Sequence, residues 1–184
     1  MKRKLRIFTL EEFRRIFRIN PYPAKYFLEK QVQEKLLLRL KNGLYALRTD
    51  LSSEEEIANR LYRPSYISFE YALAYYNMIP EMPYQITCAT TKPTRVFTVL
   101  EKEYVYTTIK RETFTGYALV EKAGRRFLIA DPEKAYVDFL YLVTLGKRAD
   151  NQRMNLKNLD KKKTLRFGQL YDRVSLIKLI TIRK

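Results

Sequence analysis

The sequence contains no histidine and a single cysteine, Cys88. Without histidine the chain cannot form a Ser-His-Asp or Cys-His nucleophile system or an HExxH zinc site, and it lacks the commonest general base. One cysteine excludes an internal disulfide and a zinc site built from several thiolates. Enzymes that depend on Asp, Glu, Lys or Tyr remain compatible with the composition.

Phosphate-binding glycine loops and long apolar runs are also missing. The five glycines fall in neither GxGxxG nor GxxxxGK[ST] spacing. No window approaches the roughly 18 apolar residues of a membrane span, and charged residues between positions 11 and 15 interrupt the run that a secretory signal requires. We therefore expect a cytoplasmic protein without a cofactor or a membrane-spanning segment. Its hydrophobic content of 46% is sufficient for a folded core.

Positive charge is in excess, and it is concentrated at the two ends of the chain. Lysine and arginine number 36 against 20 acidic residues, a net charge of +16. Residues 1–50 hold 13 basic and 5 acidic groups, residues 51–146 hold 11 and 12, and residues 147–184 hold 12 and 3. Segregated charge of one sign indicates an anionic partner. Phosphate backbones are the usual partner, and an anionic membrane surface is the alternative.

The first fifty residues contain signals for two helices. Thr9 and Glu12 have the spacing of a capping box, in which each side chain binds the other residue's backbone amide. Asn20 followed by Pro21 is typical of a second helix start. One face of this second helix is predicted to be buried and carries Ala24, Phe27, Leu28, Gln31 and Val32. The opposite face carries Tyr22, Lys25, Tyr26, Glu29 and Gln33, with Lys30 at its edge.

Asn42-Gly43 predicts a type I′ hairpin, because both residues tolerate positive φ. A two-residue turn at this position pairs Lys41 with Leu44, Leu40 with Tyr45, Arg39 with Ala46 and Leu38 with Leu47. In this register the buried face holds Leu38, Leu40, Tyr45 and Leu47. The other face is exposed and basic, and holds Arg39, Lys41, Leu44, Ala46 and Arg48.

Two helices followed by a two-stranded hairpin follow the order of a winged helix-turn-helix, whose second helix enters the major groove of DNA. We expect this domain over residues 1–50, with the segment from Lys4 to Phe8 supplying a short strand in place of a third helix. The alternative is that the helices and the hairpin serve only for packing. A short capped acidic helix from Leu51 to Leu61, with Ser52 and Ser53 ahead of its first glutamates, marks the boundary with a second unit over residues 51–184.

The second unit is predicted to mix strands and helices, so the predicted fold class is α+β with a mainly antiparallel sheet and C-terminal helices. Alternating and β-branched residues predict strands near 84–89, 94–100, 104–109, 116–121 and 126–130. Helices are expected from Ser68 to Met78 and from Pro132 to about Gly146. A basic stretch then precedes a helical tail in which Leu170, Val174 and Ile177 recur at helical spacing.

Asp131, Glu133 and Asp138 form the carboxylate group that most resembles a metal or acid–base site. On one helix, however, Asp131 is the cap, Glu133 lies in the first turn where the helix dipole favours a carboxylate, and Asp138 shares no face with Glu133. Cys88, in a β segment without a histidine partner, is typical of a small buried residue. Tyr104 and Tyr106 are predicted to pack in the core rather than stack on bases. We predict no catalytic residue and no metal site.

Four segments resemble, in the same order, the motifs of the AbiEi family, the antitoxins of type IV abortive-infection toxin–antitoxin systems. They are YISFEYALAYYNMIPE from Tyr66, TKPTR from Thr91, Tyr104–Tyr106 through Ile109-Lys110 to Phe114–Tyr117, and IADPEKAYVD from Ile129. The chain departs from the family pattern at Tyr71, Asn77, Thr107 and Thr108. The resemblance covers roughly residues 7–145.

The resemblance implies an N-terminal winged helix-turn-helix followed by an α/β antitoxin domain. It also implies that the protein represses its own operon through inverted repeats in double-stranded DNA. A further implied role is neutralisation of a partner nucleotidyltransferase toxin without a stable complex. The motifs are structural, so they assign no catalytic residue.

The predicted DNA-binding residues lie on the second helix, on the hairpin and in the C-terminal basic stretch. They are Tyr22, Lys25, Tyr26, Lys30 and Gln33, then Arg39 and Lys41, and finally Lys147, Arg148, Arg153, Lys161, Lys162 and Lys163. The cations are expected on phosphates, and Tyr22, Tyr26 and Gln33 on bases or sugars. Two basic surfaces would let a monomer span adjacent half-turns of DNA without dimerising.

Two other functions fit the same sequence. One is a protein-interaction module whose basic ends bind an acidic partner without a specific DNA site. The other is a small nuclease that depends on Lys, Asp and Glu. Nuclease activity in the presence of magnesium would distinguish the nuclease from the repressor and from the protein-interaction module.

Overall fold

The computed structural model describes residues 6–50 and 52–183, which form a mixed α+β fold with two sheets. The helices are α1 (Leu10–Phe17), α2 (Pro21–Gln33), α3 (Glu54–Leu61), α4 (Phe69–Tyr75), α5 (Pro132–Thr144), α6 (Lys161–Gln169) and α7 (Val174–Ile182). The strands are β1 (Ile7–Thr9), β2 (Leu37–Lys41), β3 (Leu44–Leu47), β4 (Ser65–Ile67), β5 (Ile86–Thr90), β6 (Arg95–Val99), β7 (Lys102–Thr108), β8 (Tyr117–Lys122) and β9 (Arg125–Ala130). Most strand pairs are antiparallel.

The N-terminal sheet is antiparallel and has the order β1-β3-β2. The predicted strand before the first helix is present from Ile7, while Lys4 and Leu5 lie outside the described residues. The predicted capping box of α1 is confirmed. The Thr9 hydroxyl accepts from the Glu12 amide at 3.1 Å, and the Glu12 carboxylate accepts from the Thr9 amide at 2.7 Å. Asn20 and Pro21 begin α2 as predicted.

The register of the β2–β3 hairpin differs from the prediction beyond its turn. Lys41 pairs with Leu44 as expected, but the ladder then shifts at Leu40. As a result, Arg39 pairs with Tyr45, Leu38 with Ala46 and Leu37 with Leu47. The predicted pairs with Leu40, Arg39 and Leu38 are wrong by one residue. The local pattern contains no sign of this irregularity, because leucine occupies every position from 36 to 38 as well as position 40.

The prediction that Leu44 and Ala46 are exposed is also wrong, since each is only 2% exposed. Both faces of the small sheet are covered. On one face, Phe8, Leu37 and Tyr45 pack with residues of α1 and α2. On the other, Ile7, Leu40, Leu44 and Ala46 belong to the same core as Ile57 and Leu61 of α3. The N-terminal sheet is therefore a middle layer, and its contacts extend into the second unit.

The second sheet has the order β6-β7-β5-β4-β9-β8, so β6 and β8 are its edges. Five of its strands lie where they were predicted, within a few residues. The sixth, β4, was not predicted because only three residues separate Pro64 from Ser68. Tyr104 and Tyr106 are buried, as predicted. The α4 helix ends at Tyr75, before the expected Met78, and Asn77 adopts a positive φ of 56° just after it.

The C-terminal segment forms two helices, α6 and α7, as the predicted C-terminal helices require. Asp160 caps α6 by accepting from the amides of Lys162 and Lys163, so the Lys161–Lys163 run is the first turn of a helix. The expected apolar stripe is wrong in part, because Leu170 and Val174 are exposed while Tyr171 and Leu176 are fully buried. In the described part of the chain, no helix has the length and apolar character needed to cross a membrane.

Candidate nucleic-acid interface

The α2 helix is held in place by a small apolar face and leaves a large aromatic one uncovered. Ala24 and Leu28, one turn apart, are fully buried against Phe8, Phe13 and Tyr45. On the opposite side Tyr22 is 88% exposed and Tyr26 is 72% exposed. Large aromatic side chains are seldom so open, because burying them is strongly favourable. The predicted polar face of α2 is therefore exposed, and its two tyrosines lie free on it.

The lysines on α2 take part only in weak contacts. Lys25 lies 3.9 Å from Glu29 and Lys30 lies 3.8 Å from Glu34, and all four side chains are largely solvent-exposed. Exposed helical pairs of this spacing contribute about 0.3–0.5 kcal/mol. Both ammonium groups are thus available to a stronger anion. Gln33 is exposed at the last residue of the helix.

The two hairpin cations lie in different environments. Arg39 is exposed, and its guanidinium donates to the side-chain oxygen of Asn42 at 2.9 Å in the turn. Lys41 is half-buried, and its ammonium donates to the Leu61 carbonyl at 2.6 Å. Burial lowers the pKa of Lys41, and the charges of Lys92 and Arg95 lower it further. Arg39 thus remains on the hairpin surface, whereas Lys41 reaches towards the second sheet.

The C-terminal cations fall into an open group and a paired group. Lys147, Arg153, Lys161 and Lys162 are exposed. Arg148 instead lies 2.7 Å from Glu70. Lys163 lies 3.0 Å from both Asp131 and Glu133. Partial burial opposes the charge of Lys163, but its hydrogen bonds to Glu133 and Asp131 outweigh this and raise its pKa. Arg148 and Lys163 thus connect elements within the fold.

Three arginines near α2 were not among the predicted site residues. Arg14, Arg15 and Arg18 line a shallow cleft between the end of α1 and the start of α2. Arg14 is held by Glu11 at 2.7 Å, while Arg15 and Arg18 are exposed. Their occurrence within five residues was the available signal.

The carboxylates set aside in the sequence do not converge on a metal site. Within the described residues no cluster of His, Cys, Asp or Glu has metal-binding geometry. Asp131 precedes α5 at the cap position, as predicted, and Glu133 lies in the first turn. Cys88 is fully buried, as predicted, and burial raises the pKa of its thiol.

Asp138 instead lies at the centre of a buried polar cluster that the sequence did not reveal. Its carboxylate accepts from the Ser68 hydroxyl at 2.7 Å, the Tyr66 hydroxyl at 3.0 Å, and the Tyr171 hydroxyl. The Lys134 ammonium, also fully buried, donates to the same carboxylate and lies 3.2 Å from the Tyr171 oxygen. Burial lowers the pKa of Lys134 and raises the pKa values of Tyr66 and Tyr171. The cluster joins β4, α5 and the C-terminal segment in one interior site.

Comparison of the chain with models of known protein families and with curated proteins gives no match. The assignment to the AbiEi family therefore remains a prediction from the sequence motifs.

Proposed function

We propose that the chain is a DNA-binding transcriptional repressor and antitoxin of a type IV toxin–antitoxin system, with its N-terminal part acting as a winged helix-turn-helix. One observation carries this proposal: the exposed face of α2, where Tyr22 and Tyr26 stand beside two lysines, next in the chain to a two-stranded hairpin. In a winged helix-turn-helix the second helix reads the major groove, and the same element order is present here.

In this proposal each exposed group on α2 and the hairpin has a defined task. Tyr22, Tyr26 and Gln33 contact base edges and sugars. Lys25 and Lys30 leave their weak ion pairs with glutamates and bind phosphates instead. Arg39 binds the DNA backbone beside the groove. Arg15 and Arg18 add charge at the N-terminal end of the same helix. Lys147, Arg153, Lys161 and Lys162 form a second phosphate-binding surface.

The antitoxin part of the proposal is supported by how the family-like motifs meet in three dimensions. Tyr66 and Ser68, from the first motif, bind Asp138 of the last motif. Tyr117, from the third motif, stacks on Tyr66 with ring centroids 4.5 Å apart. Segments that are far apart in the sequence thus build one interior. Motifs with this role stabilise the fold of the chain and require no catalytic step, and the proposed antitoxin activity needs none.

A reporter under the promoter of the chain's own gene tests the repressor role. We expect the unaltered chain to reduce reporter output and the Tyr22→Ala/Tyr26→Ala variant to lose most of that effect at equal protein level. Co-expression with an adjacent nucleotidyltransferase tests the antitoxin role, and growth should be restored. Unchanged reporter output with the unaltered chain contradicts the repressor proposal. Failure to restore growth contradicts the antitoxin proposal.

A second candidate function, binding of a protein partner through an apolar contact instead of the basic ends, is favoured by one surface of the N-terminal unit. Ile16, Phe17 and Phe27 are each about half exposed, so the prediction that Phe27 is buried is wrong, and the Phe27 ring stacks on Phe13 at 5.8 Å. Such a patch on the N-terminal unit is suited to a protein contact. If this function is correct, Phe17→Ser/Phe27→Ser abolishes partner binding and leaves DNA affinity unchanged.

A further inference from the structure

Three cations converge where the hairpin meets the edge of the second sheet. Lys41 comes from β2, Lys92 from the loop after β5, and Arg95 from the start of the edge strand β6. They surround two aromatic rings, Tyr62 and Phe97, whose centroids are 5.7 Å apart. The Lys92 ammonium is 5.4 Å from the Tyr62 ring and the Lys41 ammonium is 5.7 Å from the Phe97 ring. The Arg95 guanidinium is 5.9 Å and 5.7 Å from the two rings.

The positive charge of this cluster is not neutralised within the fold. Several other partly buried cations have carboxylate partners, as Arg6 has Asp50, Arg60 has Glu12 and Arg148 has Glu70. Among the residues that the structure describes, no carboxylate lies within 4.0 Å of Lys41, Lys92 or Arg95. Aromatic faces attract cations but carry no net charge. The three like charges therefore repel each other until an anion is present.

The cluster is also held in place. The Lys41 ammonium is fixed by the Leu61 carbonyl, and the Tyr62 hydroxyl donates to the Pro93 carbonyl at 3.2 Å. The charges of Lys92 and Arg95 contribute to the lowered pKa of Lys41, after burial. Lys92 and Arg95 themselves are exposed, so the site is open to a ligand on one side. A preformed group of cations with an open side is suited to a phosphate.

We propose that Lys41, Lys92 and Arg95 bind a backbone phosphate of DNA beyond the hairpin, with the Tyr62 and Phe97 rings as an apolar floor beneath the adjoining sugar. This inference rests on the proposed DNA-binding function and extends it, because it makes the second sheet part of the interface. The site is continuous with the hairpin through β2 itself. A duplex lying along Arg39 of the hairpin thus continues onto the β6 edge.

The test measures DNA affinity over a salt series with the full chain and two double variants. Lys92→Ala/Arg95→Ala removes two charges from the site. The matched control, Lys122→Ala/Arg126→Ala, removes two exposed charges from β8 and β9 at the opposite edge of the same sheet. The site binds one phosphate, and each phosphate that is no longer neutralised makes the slope of log affinity against log salt shallower by about 0.9, so the slope of the site variant should become shallower by about 0.9. The control should keep the slope of the unaltered chain.

The outcomes separate this inference from the function on which it rests. If the unaltered chain binds DNA and the site variant keeps its slope, the inference is overturned and the proposed function stands. Equal decreases in both variants also overturn it, because they indicate a general effect of charge. If the unaltered chain binds no duplex, both proposals fail.

A second measurement distinguishes a DNA phosphate from a free one. Inorganic phosphate is titrated into the full chain, and the side-chain carbon signals of Lys41 are followed by NMR with labelled lysine. If inorganic phosphate saturates the site at millimolar concentration and DNA still binds with unchanged affinity, the site binds free phosphate. This result overturns the assignment to a backbone phosphate. A change in the chemical shifts of Lys41 when a short duplex is added supports the backbone assignment, provided that the change is absent in Lys92→Ala/Arg95→Ala.

Discussion

Asp138 accepts hydrogen bonds from three hydroxyl groups and from Lys134. The two charged partners of this buried pair therefore differ in how many other polar groups stabilise them. Replacing Lys134 by methionine leaves a carboxylate that three hydroxyls still stabilise. Replacing Asp138 by alanine leaves a buried ammonium beside the Tyr171 oxygen at 3.2 Å and the uncharged rings of Tyr66 and Tyr171, with no anion to balance it. Removing one partner of a buried pair costs about 3–5 kcal/mol.

We therefore expect Asp138→Ala to lower the free energy of unfolding by about 3–5 kcal/mol and Lys134→Met to lower it by less. Equilibrium unfolding in urea measures both, and an unchanged denaturant slope shows that the same two states are compared. Equal decreases in the two variants, or a larger decrease for Lys134→Met, would contradict this role of the cluster.

The lowered pKa of Lys41 gives a second prediction at the scale of one residue. Its causes are burial first, then the charges of Lys92 and Arg95. Between the lowered value and the ordinary 10.5, the unfolded chain binds more protons than the folded one. The contribution of Lys41 to the free energy of unfolding therefore rises with pH across that window.

NMR titration of the Lys41 side-chain carbons measures this pKa directly. We expect a value below 10.5 in the unaltered chain. In Lys92→Ala/Arg95→Ala the value should move back towards 10.5 without reaching it, because burial remains. A value at or above 10.5 in the unaltered chain is the contradicting result.

At the scale of elements, the α2 residues that hold the helix in place are distinct from those that we propose to contact DNA. Its stability comes from Ala24 and Leu28, while Tyr22 and Tyr26 are exposed. Substitutions at exposed positions usually change stability by less than about 0.5 kcal/mol. We expect Tyr22→Ala/Tyr26→Ala to retain its thermal midpoint and to lose preference for operator over scrambled duplex. Tyr84→Ala, which removes an exposed tyrosine elsewhere, is the control. Retained preference in the α2 variant would remove this helix from the recognition surface.

The elements also show where sequence patterns are sufficient. Helix starts depend on local chemistry, so the starts at Thr9, Asn20 and Asp131 could be predicted from a few neighbouring residues, and among these three the Thr9 side chain forms a cap hydrogen bond. The hairpin turn could be predicted for the same reason, because it depends on the adjacent pair Asn42-Gly43. Its register could not, because the shift at Leu40 accompanies burial of both sheet faces, and one face is covered by residues far along the chain. The convergence on Asp138 is likewise a long-range property that no local pattern contains.

The candidate site shows the same division between local and long-range information. The exposed face of α2 follows from helical periodicity, and its predicted members are exposed. The pairing of Lys163 with two carboxylates and of Arg148 with Glu70 depends on tertiary contacts. The same is true of Lys41 and its neighbours in the cation cluster. Charge counts located the basic regions, but only packing determines which cations are open.

At the scale of the whole molecule, the C-terminal segment belongs to the main core. Tyr171 and Leu176 are fully buried in it, and the Tyr171 hydroxyl reaches Asp138. Deleting residues 147–184 is therefore expected to unfold the protein, so the deletion cannot test the second basic surface. Substitution of Lys147, Arg153, Lys161 and Lys162 by alanine tests it.

We expect this fourfold variant to keep its fold and to show a shallower salt dependence of DNA affinity, by about 0.9 for each phosphate that it no longer binds. Circular dichroism and a binding series measure the two properties on the same sample. An unchanged slope in a folded variant would exclude the C-terminal surface from DNA binding. A folded, stable chain after deletion of residues 147–184 would contradict the assignment of this segment to the core.

Sequence-specific DNA binding, on which the proposed repressor function depends, is best measured with the DNA immediately upstream of the chain's own gene. Affinity for that duplex is compared with affinity for a scrambled duplex over a salt series. We expect a clear preference for the native duplex and, for about six phosphate contacts, a decrease of about 10³-fold in affinity between about 50 and 200 mM salt. Equal affinity for both duplexes at every salt concentration, or no binding at the lowest one, would show that the chain is not a sequence-specific DNA-binding protein.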